Sequence, residues 1–203
     1  MPGLTPIRSS ATTLVVHHDS AADFLSATFP TLRRHEESAN IVFAHALKLL
    51  GSEAALTGCH FINESDVNSW WKQRARTAQS AVARPKSNEP FWLTVWSSTS
   101  PFTLPTLDIV LACVRGTLGD YPIFLWTPKT STSISTSWLK PRIEPLAERL
   151  ADIVPPRRVF SIFGMTPLVK SFTRFWSDHA FKAFAAENIG GKGPNISFLA
   201  HCH

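Results

Sequence analysis

Between Pro90 and Pro128 the chain reads PFWLTVWSSTSPFTLPTLDIVLACVRGTLGDYPIFLWTP, short apolar runs separated by Pro, Gly, Ser and Thr, and no other stretch constrains the fold as tightly. Short runs rich in β-branched and aromatic residues become strands when turn residues bound them. The expected strands are Phe91 to Ser97, Leu107 to Gly116 and Ile123 to Trp126. A surface loop joins the first two, and a turn over Leu118 to Tyr121 leads into the third. Pro122 is tolerated at a strand start or edge. Segments on either side read mainly as helix that must pack on this sheet, which makes the chain a mixed α and β domain.

With 203 residues, one core is the first expectation, since a domain of this size buries roughly 70% of the surface its unfolded chain exposes. Hydrophobic residues make up 44% and charged residues 17%, with seven Trp and fourteen Phe, which argues against disorder and for a generous supply of core or interface side chains. So little charge suggests apolar surface kept for a partner, for self-association or for a missing segment. The net charge of +5 permits attraction to phosphate, but the basic residues are dispersed, which argues against nucleic acid. Cys59, Cys113 and Cys202 lack metal-ligand spacing, and Cys113 lies in an apolar strand, so a buried thiol in a reducing compartment is expected, the cytoplasm or the nucleus. No apolar run approaches the roughly 20 residues that span a bilayer, so no membrane partner is expected.

Residues 1–11, rich in Pro, Gly and Ser, are expected to lie loosely on the surface. Leu14, Val15 and Val16 form a β-prone run, and Asp19 or Ser20 caps a helix carrying Phe24, Leu25, Thr28 and Phe29 that Pro30 ends or bends. A second helix is expected from Leu32 to Leu50, with Gly51 as a left-handed stop and His45 as a hydrogen-bonded histidine at the core edge. Phe61 and Ile62 suggest a short strand, after which Ser65 or Asp66 caps a helix running toward Val82. That helix, residues 66–84, carries Trp70, Trp71, Lys72, Arg74 and Arg76, the composition of a single-strand nucleic-acid surface. The plainer expectation is one Trp in the core and the cationic heads in water. Residues 84–90 read as a linker.

Beyond the central stretch, the polar loop 127–137 precedes an amphipathic helix from Pro141 to Ile153, with Pro145 in its first turn and Pro155 and Pro156 stopping it. Arg158 to Phe163 reads as a strand, followed by a Gly164-Met165-Thr166-Pro167 turn into a helix bearing Leu168, Phe172, Phe175 and Trp176. Residues 186–203 have no persistent period and read as a tail.

No pattern completes a catalytic site, so catalytic and cofactor-binding residues stay unassigned and no metal is expected. The turn after Phe163 invites comparison with anion-binding strand-turn-helix units, although Pro167 removes a donor. GGKGP in the tail lacks Walker spacing. His201-Cys202-His203 and Cys59-His60 each lack the second half of a zinc site. Glu36 with Glu37, and Glu144 with Glu148, read as solvated helix faces. Gly-x-Ser-x-Gly is absent.

Three segments in order resemble the N-terminal region of microbial acetyltransferase-like proteins of the GNAT superfamily. DFLSATFPTLRRHEESANIVFAHALKLL (23–50) is similar to the family's helix pair. PFWLTVW with DIVLACVRGTLGDYPIFLWTP (90–128) resembles its succession of strands ending in Thr-Pro. VFSIFGMTPLVKSFTRFWSDHA (159–180) is similar to its strand, Gly turn and helix. Together they cover most of residues 13–180.

The resemblance implies an α+β fold, a mixed and mostly antiparallel sheet flanked by helices, over one domain at residues 12–180 with flexible 1–11 and 186–203. It implies transfer of an acetyl group from acetyl-CoA to a small-molecule or peptide amine. The Gln/Arg-x-x-Gly-x-Gly/Ala turn with which the family holds the CoA pyrophosphate does not occur. A truncated relative, weak or inactive as this chain alone, is therefore one expectation, and a non-enzymatic lobe acting in binding or scaffolding is the other. In either case the three strands of residues 90–128 form half of a sheet, with an unpaired edge at Trp126-Thr127-Pro128.

Overall fold

The computed structural model describes residues 12–53, 62, 64–77, 89–100, 103–116, 119–187 and 199–202. Its elements, in chain order, are β1 (Thr12–His18), α1 (Ala21–Arg34), α2 (Glu36–Glu53), α3 (Glu64–Thr77), β2 (Phe91–Ser98), β3 (Thr106–Gly116), β4 (Gly119–Trp126), α4 (Thr136–Ile153), β5 (Ser161–Gly164), α5 (Thr166–Glu187) and β6 (Leu199–Cys202). The strands form one sheet in sequence order. β1 through β4 are antiparallel neighbours, whereas β4 with β5 and β5 with β6 are parallel. The chain is thus α+β, with a mixed, mostly antiparallel sheet flanked by helices.

Strand alternation explains why both faces need covering. Phe91, Leu93 and Val95 of β2 point to one face with Ile109, Leu111 and Cys113 of β3 and Ile123 and Leu125 of β4, where α4 and α5 supply Leu139, Ile143, Leu146, Leu168, Phe172 and Trp176. Trp92, Trp96, Val110, Ala112, Val114 and Trp126 point to the other, against Phe24, Leu25, Leu32, Val42, Phe43 and Trp71 of α1, α2 and α3. A strand buried on both faces reads as a continuous apolar run, which is how VLACV and FWLTVW appear in the sequence.

Two bulges interrupt the ladders, and an arginine holds each. Val95 pairs with Ile109 but Trp96 with Leu107, which leaves Asp108 as the extra residue of β3. The buried Asp108 carboxylate accepts from Arg142 Nε at 2.7 Å, and the same guanidinium donates to Ser97 Oγ and lies over the Trp138 ring. Further along, Cys113 pairs with Ile123 and Arg115 with Asp120, so Val114 faces both Tyr121 and Pro122. Arg158, itself buried, donates to the carbonyls of Tyr121 (2.9 Å) and Val114 (3.0 Å). Pro122 is therefore accommodated inside β4, at a bulge, and the expected turn over Leu118 to Tyr121 is already strand from Gly119.

Several expected boundaries move. α1 runs through Pro30 to Arg34, because the Ser26 carbonyl that Pro30 strands accepts from Ile62 N at 2.8 Å. Ser20 is its cap, with Oγ accepting from Asp23 N. The break between the first two helices falls at His35, and Gly51 lies inside α2 instead of ending it. Ser65 and Asp66 are within α3, which begins at Glu64. α4 begins at Thr136, capped by Ser135, so Pro141 and Pro145 are both interior, and burial of the Leu139, Ile143, Leu146 and Leu150 stripe carries the helix past them. Arg158 belongs to a short 3-10 turn (Pro156–Arg158) before β5. β5 and β6 continue the sheet past β4, so β4 is an interior strand and residues 199–202 are not tail. Phe61, GGKGP, Cys59-His60 and most of residues 84–90 lie outside the described residues, as do the side chains of His201 and Cys202.

Candidate functional site

The parallel pair β4 and β5 touches over a short length, Ile123 with Ile162 and Phe124 with Phe163. Beyond it the chain leaves both strands at their carboxyl ends: β4 enters the loop 127–135, and β5 turns at Gly164 and Met165 into α5. Crevices outside the carboxyl ends of parallel strands are where open sheets commonly hold ligands, since loops and helix starts converge there. Here the space is a pocket of about 460 Å³, within the range of small-molecule sites.

Three parts of the chain line it. β4 and its loop contribute residues 124–130, β5 and its turn Phe163, Gly164 and Met165, and the junction of α1 and α2 contributes His35, Ser38, Asn40, Ile41 and Val42. The walls are aromatic: Phe124 and Phe163 are tilted with centroids 5.9 Å apart, and His35 lies 6.0 Å from the Trp126 ring. Trp126 Nε1 donates to Ser38 Oγ at 3.2 Å, which ties the end of β4 to the first turn of α2. Gly164 is required by close approach, because a Cβ there would lie 2.5 Å from the Leu125 carbonyl oxygen. At the mouth, Lys129 Nζ sits 5.4 Å from the centre of the Trp138 ring.

Two features singled out in the sequence thus meet, the Trp126-Thr127-Pro128 strand end and the Gly164-Met165-Thr166-Pro167 turn. α5 begins at Thr166, within a residue of the expected cap. His35, Ser38 and Asn40 carry no local signal, being a helix junction that becomes a wall only through packing. His45 is not hydrogen-bonded in the described structure: its ring stacks on Phe124 (5.7 Å) and meets Tyr121 edge-on (5.4 Å), and burial, with Lys48 nearby, pushes its pKa down.

The basic face of α3 resolves differently. Trp71 is buried, Trp70 packs on Trp96 and over His18, and Arg74 forms an ion pair with Asp23. Lys72 and Arg76 remain exposed. Trp71 is thus the tryptophan in the core, while Trp70 is half-buried. His18 links this cluster to the sheet, with Nδ1 at 2.8 Å from Asp23 and Nε2 at 2.8 Å from Thr94 Oγ1. The order hydroxyl, imidazole, carboxylate is that of a nucleophilic triad. Thr94 and His18 are both 0% exposed, and Thr94 Oγ1 also accepts from Trp96 Nε1, so the relay joins α1, α3, β1 and β2 and meets no substrate. Burial acts to raise the Asp23 pKa, but the hydrogen bond and charge of His18 together with Arg74 outweigh it and hold the carboxyl below its usual value.

Glu36 is engaged by Arg33 at 2.6 Å, and Glu148 faces solvent. Among the described residues no group of His, Cys, Asp and Glu is arranged to hold a metal ion, and no helix is long and apolar enough to cross a membrane. No family model, no curated protein and no solved structure matches the chain.

Proposed function

We propose that the chain is an acetyltransferase-like protein whose crevice between β4 and β5 takes the acyl end of acetyl-CoA, with weak transfer to an amine or none. The observation that carries this reading is the pocket itself: an apolar, aromatic-walled space at the carboxyl ends of a parallel strand pair, open toward a strand-turn-helix unit. It adds to the three-segment resemblance in the sequence.

The residues fit one end of that ligand and not the other. An acyl thioester is uncharged and matches walls of Phe124, Trp126, Phe163 and Met165. The pyrophosphate would need free backbone N–H groups at close range, which glycines permit. The loop 127–135 has no glycine, Pro128 lacks an N–H, and the Thr130, Ser133 and Ser135 hydroxyls already bond within the loop and the helix cap. His35 is the imidazole on the wall, its ring set against Trp126.

Calorimetric titration with acetyl-CoA, paired with a thiol-release assay over an amine panel, tests this. Binding at about 0.1 mM or weaker is expected, reduced further by Trp126→Ala. Low-micromolar affinity would contradict the weak-binding reading, and neither heat nor thiol release at millimolar acetyl-CoA would remove the acyltransferase reading altogether.

A further inference from the structure

We infer that this crevice selects an apolar carboxylate, with a ring-sized hydrophobic body inside and an anionic head at the mouth, and rejects an organic cation of the same shape. The inference rests on the crevice being the ligand site and specifies the shape and charge of what enters it.

Size comes first. A pocket of about 460 Å³ far exceeds what a two-carbon acyl group fills, and drug-sized ligands occupy sites in this range. Flat walls from Phe124, Trp126 and Phe163 favour a ring, which can meet them face-on or edge-on.

Charge decides the rest. Among the described residues lining the pocket none carries a carboxylate, so an ammonium entering it would lose its hydration without a counter-charge from them. Positive charge comes from Lys129, which lines the pocket and rests its Nζ over the neighbouring Trp138 ring. The start of α5 beside Met165 adds partial positive charge, whereas at His35 the end of α1 and the start of α2 bring opposite dipole ends together. Of the two acidic residues in the first turn of α2, Glu36 is held by Arg33 and Glu37 is exposed, and neither lines the pocket.

The test uses a matched probe pair, naphthalene-2-acetate and 2-(2-naphthyl)ethylammonium, titrated calorimetrically into the full chain at pH 7.5. The carboxylate should bind about tenfold tighter or more. Lys129→Met, which keeps the apolar stem, should bring the two within about threefold. Ile41→Glu places a carboxylate at the pocket wall on an exposed helical position and should reverse the preference. Unchanged circular dichroism confirms that both variants fold. The inference is overturned if the ammonium binds as well as the carboxylate, if neither probe binds at about 5 mM, or if the preference survives both substitutions. Acetyl-CoA separates the two readings: carboxylate binding that acetyl-CoA neither matches nor competes with sinks the acetyltransferase proposal alone, whereas acetyl-CoA binding without carboxylate selectivity sinks this inference alone.

Discussion

The backbone N–H of Ile62 donates to the carbonyl oxygen of Ser26 at 2.8 Å, taking the acceptor that Pro30 leaves without its helical partner. A proline in mid-helix is thereby turned into a docking point for Ile62, ahead of α3. Pro30→Ala restores a competing donor inside α1. The Ile62 amide should then lose protection from hydrogen exchange by about tenfold, while global stability changes by no more than about 1 kcal/mol. An Ile62 amide as protected as before would mean that its anchoring does not depend on the proline.

Arg158 holds the β3–β4 bulge together by donating to Val114 and Tyr121 carbonyls, with its Nε 3.5 Å from Asp120. Arg158→Met removes the donors and keeps the apolar stem, leaving two inward-facing carbonyls unsatisfied. Urea denaturation should register a loss of about 2 to 4 kcal/mol. Arg158→Lys should recover less than half, since one ammonium cannot span both carbonyls as the planar fork does. Full recovery by lysine would show that charge, not the fork, matters.

Gly164 lets β5 pass the Leu125 carbonyl where the crevice opens. In Gly164→Ala the methyl group meets that oxygen, so the strand ends must part. A cost of about 2 to 3 kcal/mol is expected, together with weakened binding of any crevice ligand. Thermal unfolding unchanged from the parent would place the two strands further apart than this geometry allows.

Acid should destabilise the fold in two stages. Burial pushes the pKa values of His17 and His45 below the 6.5 of a free imidazole, with Arg149 and His18 adding to the effect at His17 and Lys48 at His45. Asp19 opposes part of the shift at His17. Between 6.5 and those lowered values the unfolded chain binds protons that the folded chain refuses, so stability falls as pH drops through this window. Asp23 acts lower down: its depressed native pKa stabilises the fold above 3.8, and that contribution is lost as pH falls from there through the native value. The urea midpoint should decline from pH 7.5 to 5, less steeply in His45→Phe. A midpoint that rises on acidification would reverse the sign assigned to both histidines.

The residue order by itself marked the strands of residues 90–128 and the core side of α5, but not β6, which lies in a stretch that reads as a tail. The apolar runs FWLTVW and DIVLACV marked strands, and the spacing of Leu168, Phe172 and Trp176 gave α5 its core side, because these patterns are local properties of the backbone. Tertiary structure decided whatever depends on a distant partner. Pro30 sits inside a helix because Ile62 N takes the carbonyl it strands, Pro141 because packing outweighs a lost hydrogen bond, Pro122 sits in a strand because a bulge held by Arg158 makes room, and Trp70 and Arg74 face inward because His18, Trp96 and Asp23 await them. The crevice is of the same kind: residues 35–42, 124–130 and 163–165 are far apart in the chain. Only the parallel pairing of β4 with β5 brings their ends together, and no local period encodes which strand will lie beside which.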